Sequence, residues 1–150
     1  MNFTIKPFNE LSVDELYEII RLRNEVFVVE QDCPYQDADG KDKIAMHVFC
    51  STNDGSVLAY CRLLPPGISY QECSIGRVVN AQSARDTGLG RKLMQTAISY
   101  IEDVWKYAAI RISAQQYLEA FYSSLGFVTQ SEPYLEDGIP HVEMLRVSNG

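Results

Sequence analysis

Arg85-Asp86-Thr87-Gly88-Leu89-Gly90 is the segment that decides the fold of this chain, and it has the form R-x-x-G-x-G. It follows an apolar, strand-like run at residues 74–80 and precedes an amphipathic segment at residues 91–107. Glycine lets the backbone approach a ligand closely, and the N–H groups of a helix start attract negative charge. A strand, glycine loop and helix in this order predict an anion-binding loop, with Arg85 suited to phosphate. An ordinary turn and helix start remains the alternative.

The spacing of the glycines distinguishes this loop from two common nucleotide-binding motifs. A dinucleotide fold requires G-x-G-x-x-G, and a P-loop requires G-x-x-x-x-G-K-[ST]. Arg91 and Lys92 follow Gly90, so neither pattern is present and no hydroxyl stands ready to hold a metal ion.

Length and composition narrow the class of protein. The chain has 150 residues, of which 46% are hydrophobic and 22% charged, which predicts one globular domain over residues 1–150. Neither a run long enough to span a bilayer nor a secretory leader is present, so we expect a cytoplasmic protein without a membrane partner. The net charge of −7 argues against nucleic acid. The four cysteines show no C-x-x-C spacing, which favours reduced thiols and no metal.

Hydrophobic periodicity predicts the order of the secondary structure. Ser12 and Glu15 form a capping-box pattern at the start of the first helix, and Gly126 is a plausible end to the last. The order of the predicted elements indicates the α/β fold class, specifically an α+β mixed sheet with helices on both faces. The predicted strands cover residues 3–7, 46–51, 57–64, 73–80, 109–114, 127–129 and 141–147, and the predicted helices cover residues 12–29, 88–106 and 116–124.

A second motif, F-Y-x-x-x-G-F at residues 121–127, lies about thirty residues after the glycine loop. An amphipathic helix with two aromatic residues would give the same pattern. Three further strings, at residues 25–40, 75–79 and 136–141, accompany it. Together with R-x-x-G-x-G, these segments resemble the GNAT superfamily of acyl-CoA-dependent N-acyltransferases, in its ElaA-type branch. The resemblance covers residues 16–146 and implies the GNAT fold.

The resemblance implies direct acetyl transfer from acetyl-CoA to a primary amine of a small molecule or peptide, in a ternary complex and without a metal. The backbone of Val78 and Asn80 would bond the pantetheine arm, and the loop from Thr87 to Arg91 would hold the pyrophosphate beside Arg85. The full set of cofactor-binding residues implied is Val78, Val79, Asn80, Arg85, Asp86, Thr87, Gly88, Leu89, Gly90, Arg91, Phe121 and Tyr122.

Three residues are candidates for proton transfer. The resemblance places Tyr122 near the coenzyme A sulfur, where a phenol that is protonated at neutral pH could donate to the leaving thiolate. Some relatives carry a glutamate on the fourth strand, but here Ser74 stands near that position and Glu72 lies further back. Ser74 could act through a water molecule. His141 belongs to the D-G-I-P-H string and could transfer a proton near neutral pH, whereas His47 is expected to be structural.

The acceptor is expected to bind beside a carboxylate-rich loop. Clustered carboxylates would attract a protonated amine, although a solvated acidic face explains them equally well. The acidic residues are Glu30, Asp32, Asp37, Asp39, Asp42, Glu136 and Asp137. The residues assigned to acceptor binding are Glu30, Gln31, Tyr35, Asp37, Arg77, Gln115 and His141.

Two alternatives to the enzyme remain open from the sequence. One is a catalytically weak module that binds coenzyme A as a sensor or interaction partner, which the missing strand carboxylate favours. The other is a generic α/β protein that binds a different phosphate ligand, which requires both motifs to be accidental. Self-association as a homodimer also stays open.

Overall fold

Strands of the computed structural model, which describes residues 2–148, form one mixed sheet. Their spatial order is β1-β2-β3-β4-β5-β8-β6, and β7 pairs with β8 outside this path. Only β4 and β5 are parallel neighbours; the other pairs among the described residues are antiparallel. The strands are β1 (Thr4–Pro7), β2 (Met46–Ser51), β3 (Val57–Leu64), β4 (Cys73–Asn80), β5 (Ala109–Gln115), β6 (Val128–Thr129), β7 (Tyr134–Glu136) and β8 (Ile139–Val147).

The helices are α1 (Val13–Arg23), α2 (Leu89–Asp103) and α3 (Glu119–Ser123), and α1 continues as a π-helix over Asn24–Glu30. Short 3₁₀ turns cover Phe8–Glu10, Asp42–Ile44, Gln82–Ala84 and Gln116–Leu118. The capping box predicted at the start of α1 is confirmed, since the Ser12 hydroxyl accepts from the Glu15 N–H at 3.0 Å and the Glu15 carboxylate accepts from the Ser12 N–H at 2.8 Å. Within residues 2–148, no helix combines the length and apolar character required to cross a bilayer.

Helices cover both faces of the sheet, and each face has its own hydrophobic core. On one face, α2 and α3 contribute residues such as Leu93, Ile101 and Tyr122, which pack against buried strand residues. On the other face, Ile19 and Leu22 of α1 pack against residues of β2, β3 and β4. Burial of one such aliphatic side chain contributes about 1.5–3 kcal/mol. The predicted mixed sheet with helices on both faces is confirmed.

Three features of the secondary structure differ from the prediction. The helix predicted over residues 12–29 is α-helical only as far as Arg23 and continues as a π-helix from Asn24. The strand β7 was not predicted, although the Asp137-Gly138 turn that joins it to β8 is a strong hairpin signal, with both residues at positive φ. The predicted helix at residues 116–124 begins as a 3₁₀ turn and becomes α-helical only at Glu119.

A gap opens in the sheet between β4 and β5. The two strands pair at only two positions, Cys73 with Ile110 and Ser74 with Arg111. Further along β4, the register with β3 shifts between Tyr60 and Arg62, and Arg77 adopts a positive φ of 50°. Such an irregularity bends the strand and increases its twist. The bend therefore carries the end of β4 away from β5 and leaves space between them.

Candidate active site

The gap between β4 and β5 forms a cavity of about 690 Å³. The π-helix and the segment after it close one side, the glycine loop and the start of α2 close another, and α3 and the β7–β8 hairpin complete the wall. A volume of this size lies within the usual range for small-molecule sites. The glycine loop, the F-Y-x-x-x-G-F motif and the string at residues 136–141 therefore contribute to the wall of the same cavity.

Most of the predicted site residues line this cavity. Four predicted residues do not, namely Ser74, Thr87, Leu89 and Asp37. Ser74 is buried where β4 still pairs with β5, so its hydroxyl lies in the closed part of the sheet. The predicted residues that do line the cavity are Val78, Val79, Asn80, Arg85, Asp86, Gly88, Gly90, Arg91, Phe121, Tyr122, Glu30, Gln31, Tyr35, Arg77, Gln115 and His141.

The glycine loop leaves polar groups unsatisfied at the cavity wall. Gly88 precedes α2 with a φ of 83° and carries no capping side chain, and the first backbone bond of the helix runs from the Lys92 N–H to the Gly88 carbonyl. The N–H groups of Gly90 and Arg91 precede that bond and are free to meet an anion. A Cβ on Gly90 would lie 2.7 Å from Asn80 Nδ2, so only glycine leaves the Asn80 side chain in place.

Asn80 supplies a second polar group at this wall that a ligand could satisfy. Its Oδ1 atom is buried and has no hydrogen-bond partner among the described residues. A buried acceptor without a donor costs about 1–3 kcal/mol, so a ligand that offers an N–H group would be stabilised there. The loop and Asn80 together fit a molecule that carries both phosphate and amide groups, as coenzyme A does.

Arg85 lies between the glycine loop and the π-helix. Its Nη1 is 2.8 Å from Glu30 Oε2, and Nη2 also donates to the Asn80 carbonyl at 3.4 Å. Hydrogen bonding to Glu30 raises the pKa of Arg85. About a third of each side chain or more is exposed, so a phosphate could take Glu30's place without uncovering a buried charge.

Tyr122 presents a free hydroxyl to the cavity. Its ring packs edge-on against Phe121 and Phe127, with centroids 5.2 Å and 6.0 Å away. The residue is 5% exposed, and no hydrogen bond to its hydroxyl is found among the described residues. Burial raises the pKa of Tyr122 further above its usual range. The phenol is therefore protonated at neutral pH and able to donate.

His141 has one ring nitrogen fixed and the other directed at a carboxylate. Nδ1 lies 2.7 Å from the carbonyl oxygen of Ile139, and Nε2 lies 3.4 Å from Glu136 Oε2. The Tyr134 ring stacks on the imidazole with centroids 6.2 Å apart. Because a carbonyl can only accept, Nδ1 carries a proton and the neutral ring keeps its lone pair on Nε2.

The predicted acidic loop is largely neutralised by arginine. We define the Arg–Asp cluster as Arg23, Arg62, Arg77, Asp37, Asp39 and Asp42. Arg23, only 2% exposed, donates to Asp37 and Asp42, each at 2.8 Å. Arg62 and Arg77 complete the cluster by pairing with the same three aspartates. Asp37 thus holds arginines instead of facing the cavity.

Arg77 connects this cluster to the cavity. Its guanidinium donates to Asp37 Oδ1 at 2.9 Å and lies 5.5 Å from the centroid of the Tyr35 ring, and both Arg77 and Tyr35 line the cavity. His47 is buried beside this cluster. Its Nε2 lies 2.9 Å from the carbonyl oxygen of Asp42, and its Nδ1 accepts from the Tyr60 hydroxyl at 2.7 Å. The expectation that His47 is structural agrees with this position.

Several cavity residues were not assigned to the site from the sequence. Ser113 and Tyr117 are polar, whereas Phe27 and Ile112 supply apolar wall. Glu136 was expected to help attract the acceptor as one of the clustered carboxylates, but it was not assigned to the site. The Asp137-Gly138 turn could have revealed it, because a hairpin there places Glu136 beside Ile139 and close to His141.

The chain matches the model of an acetyltransferase (GNAT) domain over residues 15–147. It is 40% identical over 140 residues to protein ElaA of Escherichia coli, covering 92% of this chain and 91% of that protein. The crystal structure of E. coli ElaA superposes with a TM-score of 0.89 at 36% identity, covering 97% of this chain and 99% of that one. An acyl-CoA N-acyltransferase from Pseudomonas aeruginosa superposes with a TM-score of 0.91 at 44% identity, covering 98% and 100%.

Proposed function

Because this chain belongs to the GNAT acetyltransferase family, in its ElaA-like branch, we propose that it is an acetyl-CoA-dependent N-acetyltransferase. It would move an acetyl group directly to a primary amine of a small molecule or peptide, with donor and acceptor bound together. The observation that carries this proposal is the cavity itself, which brings the glycine loop, the open edge of β4 and the free Tyr122 hydroxyl around one space.

The glycine loop and β4 would hold the donor. The N–H groups of Gly90 and Arg91 and the guanidinium of Arg85, which line the cavity, would bind the pyrophosphate. Beyond Ser74, the β4 edge has no β5 partner, so its backbone can bond the pantetheine arm as an added strand would. The buried Oδ1 of Asn80 would accept from one of the amides of that arm.

Two groups would assist the transfer. A backbone N–H near Val78, on the bent part of β4, would donate to the thioester oxygen as negative charge develops there. Tyr122 would donate its hydroxyl proton to the sulfur that leaves. The acetyl-CoA thioester supplies the reactive carbonyl, and this chain supplies position, hydrogen bonds and a proton.

A catalytically weak coenzyme A-binding module is the second candidate. One observation favours it: β4 contributes no group that could act as a base in the cavity. The strand has no acidic residue, and Ser74, which could have acted through a water molecule, lies in the closed part of the sheet. Calorimetry with acetyl-CoA, a nicotinamide dinucleotide and ATP tests the binding that both candidates share. We expect acetyl-CoA alone to bind; tight ATP binding without acetyl-CoA binding would refute both. Thiol release from acetyl-CoA with a panel of primary amines separates the enzyme from the module.

Tyr122→Phe tests the chemical step. The variant keeps the ring and its packing, so we expect kcat to fall roughly 10²-fold while KM for acetyl-CoA and thermal stability change little. Tyr117→Phe is the matched control, because Tyr117 also lines the cavity but is 75% exposed. A Tyr122→Phe enzyme with full kcat and a lower Tm would assign the hydroxyl to the structure instead.

A further inference from the structure

We propose that Glu136 and His141 together receive the ammonium group of the acceptor substrate and take its proton, an assignment that rests on the proposed N-acetyltransferase function. Both residues line the cavity, at the β7–β8 hairpin. The acceptor they select is a primary amine that arrives protonated. From the sequence, Glu136 was expected only to help attract the acceptor, as one of the clustered carboxylates, and His141 alone was a candidate for proton transfer.

The opposition of two acceptors carries this proposal. Nδ1 of His141 must donate to the Ile139 carbonyl, so Nε2 of the neutral ring bears a lone pair. Glu136 Oε2 faces that lone pair at 3.4 Å. While the ring is neutral, these two acceptors repel each other unless a donor is shared between them; once Nε2 holds a proton, it donates to Glu136 as an ion pair. An ammonium group offers three donors and a positive charge, which satisfies both atoms at once.

A chain of hydroxyl groups holds Glu136 in this orientation. Tyr134 and Ser113 oxygens are 2.6 Å apart, and the Ser113 hydroxyl donates to Glu136 Oε1 at 3.2 Å. Since Ser113 donates to the carboxylate, Tyr134 donates to Ser113. The chain occupies Oε1 and leaves Oε2 for His141 and the substrate.

Few other charges compete at this point of the cavity. Arg111, the nearest cation on β5, is held by Glu72 at 3.0 Å and Glu143 at 3.2 Å. The Arg77 guanidinium is held by Asp37 and Asp39. Glu136 Oε2 is therefore not neutralised by an arginine. The titratable and charged groups in this part of the molecule include Tyr70, Glu72, Arg77, Arg111, Tyr134, Asp137, Glu143 and Cys33.

The pair faces the cavity from the side opposite Tyr122. Successive side chains of β5 point to opposite faces of the sheet. Ile112 belongs to the core that contains Tyr122, whereas Ser113 bonds to Glu136. The gap between β4 and β5 joins the two faces. A nucleophile at the pair and a leaving sulfur at Tyr122 would thus approach the same carbonyl from different sides.

The proton balance follows from this arrangement. The ammonium gives one proton to Nε2 of His141, and the resulting imidazolium is stabilised by Glu136. The freed amine forms a C–N bond at the thioester carbonyl, and the C–S bond breaks. The thiolate takes the Tyr122 hydroxyl proton, and the second amine proton returns to the phenolate through solvent. The proton on His141 then leaves to solvent, so one proton is released for each amide formed.

Two amines of similar size test the assignment by thiol release at neutral pH. Ethylamine is protonated there, whereas 2,2,2-trifluoroethylamine is mostly neutral and needs no base. His141→Asn keeps a donor toward the Ile139 carbonyl, and we expect it to lower kcat/KM for ethylamine roughly 10²-fold and for trifluoroethylamine far less. Glu136→Gln should raise KM for ethylamine roughly three- to fivefold, as for a half-exposed ion pair. Glu132→Gln, on the exposed segment before β7, is the matched control.

The outcomes separate this assignment from the proposed function. Equal losses for both amines, or no loss in His141→Asn, would overturn the role of the pair while turnover by the wild type upholds the enzyme. Thiol release with neither amine would count against the enzyme. A second measurement then decides the pair: with coenzyme A bound, ethylammonium should shift the ring NMR signals of His141 and not those of His47, the only other histidine. Absence of that shift, or its persistence in Glu136→Gln, refutes the ammonium site.

Discussion

The Arg–Asp cluster, which reaches the cavity only through Arg77, and the glycine loop, which forms part of the cavity wall, differ in which of their polar groups lack partners. In the cluster, three arginines and three aspartates neutralise one another, and only Arg62 Nε is a buried donor without an acceptor among the described residues. At the loop, backbone N–H groups and the buried Oδ1 of Asn80 lack partners. The polar groups of the cluster find nearly all their partners within the protein, whereas those of the loop would find theirs only in a ligand.

This difference shows why charge alone is a poor guide to a binding site. The loop at residues 37–42 carries three carboxylates in six residues, yet its aspartates hold arginines from α1, β3 and β4. The cluster fixes Arg77 and with it the bend in β4 that opens the cavity. Substitutions in the cluster should therefore change stability first, and substitutions in the loop should change ligand binding first.

Arg23→Met should have the largest effect on stability. It removes a guanidinium that is 2% exposed and leaves Asp37 and Asp42 without that partner, so we expect unfolding free energy to fall by about 3–5 kcal/mol. Urea unfolding measures this. Arg21→Met is the control, because its pairs with Glu18 and Glu25 are at the surface and should contribute less than about 1 kcal/mol. Equal losses in the two variants would remove the distinction between the regions.

Acid should weaken the same cluster more gradually. Hydrogen bonding from Arg62 holds the pKa of Asp39 well below its usual range. A carboxylate with a lowered pKa in the folded state stabilises the fold above its unfolded pKa of about 4, and that stability is lost as the pH falls through the lower folded value. Urea midpoints should therefore be flat above about pH 4 and decline below it. In Asp39→Asn the decline should be shallower, and an equally steep decline would exclude Asp39 as a source.

Gly88→Val should separate binding from stability. Gly88 has a φ of 83° and open space where a Cβ would lie, so valine strains the backbone of the loop. Loss of one charge-assisted bond costs about 1.5–3 kcal/mol, which corresponds to roughly ten- to hundredfold weaker acetyl-CoA binding. Gly67→Val, at a φ of 87° with equally open space before β4, carries the same strain away from the cavity. If both variants bind acetyl-CoA normally, the loop is only a turn.

Of the four effects predicted here, that of Arg85→Ala on acetyl-CoA binding should be the smallest. The guanidinium is 35% exposed and already paired with Glu30, so phosphate binding must displace that carboxylate. We expect calorimetry to show acetyl-CoA affinity falling roughly two- to fivefold, as for an exposed charge pair. Lys92→Ala, an exposed lysine on α2 outside the cavity wall, controls for the loss of one positive charge. If Arg85→Ala lowers acetyl-CoA affinity more than Gly88→Val does, the Arg85 side chain contributes more to phosphate binding than the loop backbone.

Local patterns in the sequence were enough to predict the elements and the resemblance to the GNAT family, which is confirmed. The glycine loop, the capping box at Ser12 and the aromatic pair at Phe121 and Tyr122 depend on residues within one or two turns of each other. Their roles can be read without knowledge of distant contacts. The roles assigned to individual site residues stay predictions.

The features that sequence reasoning did not provide depend on distant partners. Asp37 pairs with Arg23 and Arg77, which lie 14 and 40 residues away. The exclusion of Ser74 from the cavity follows from where β4 and β5 stop pairing, and no residue type marks that point. The change from α- to π-helix at Asn24 likewise has no recognised signal in the sequence.

The narrow junction between β4 and β5 has a consequence for how the molecule opens. Since only two residue pairs connect β1–β4 to β5–β8 through the sheet, the two halves form separate hydrogen-bonded units. Their cooperativity depends on side-chain packing in the shared core, to which α2 contributes against β2–β4 and α3 against β5 and β6. Amide exchange would then report two subglobal opening units with different protection. A ligand bonded to the open edge of β4 and in contact with β5 would connect these two units. Binding in the cavity should therefore make the two halves unfold more cooperatively.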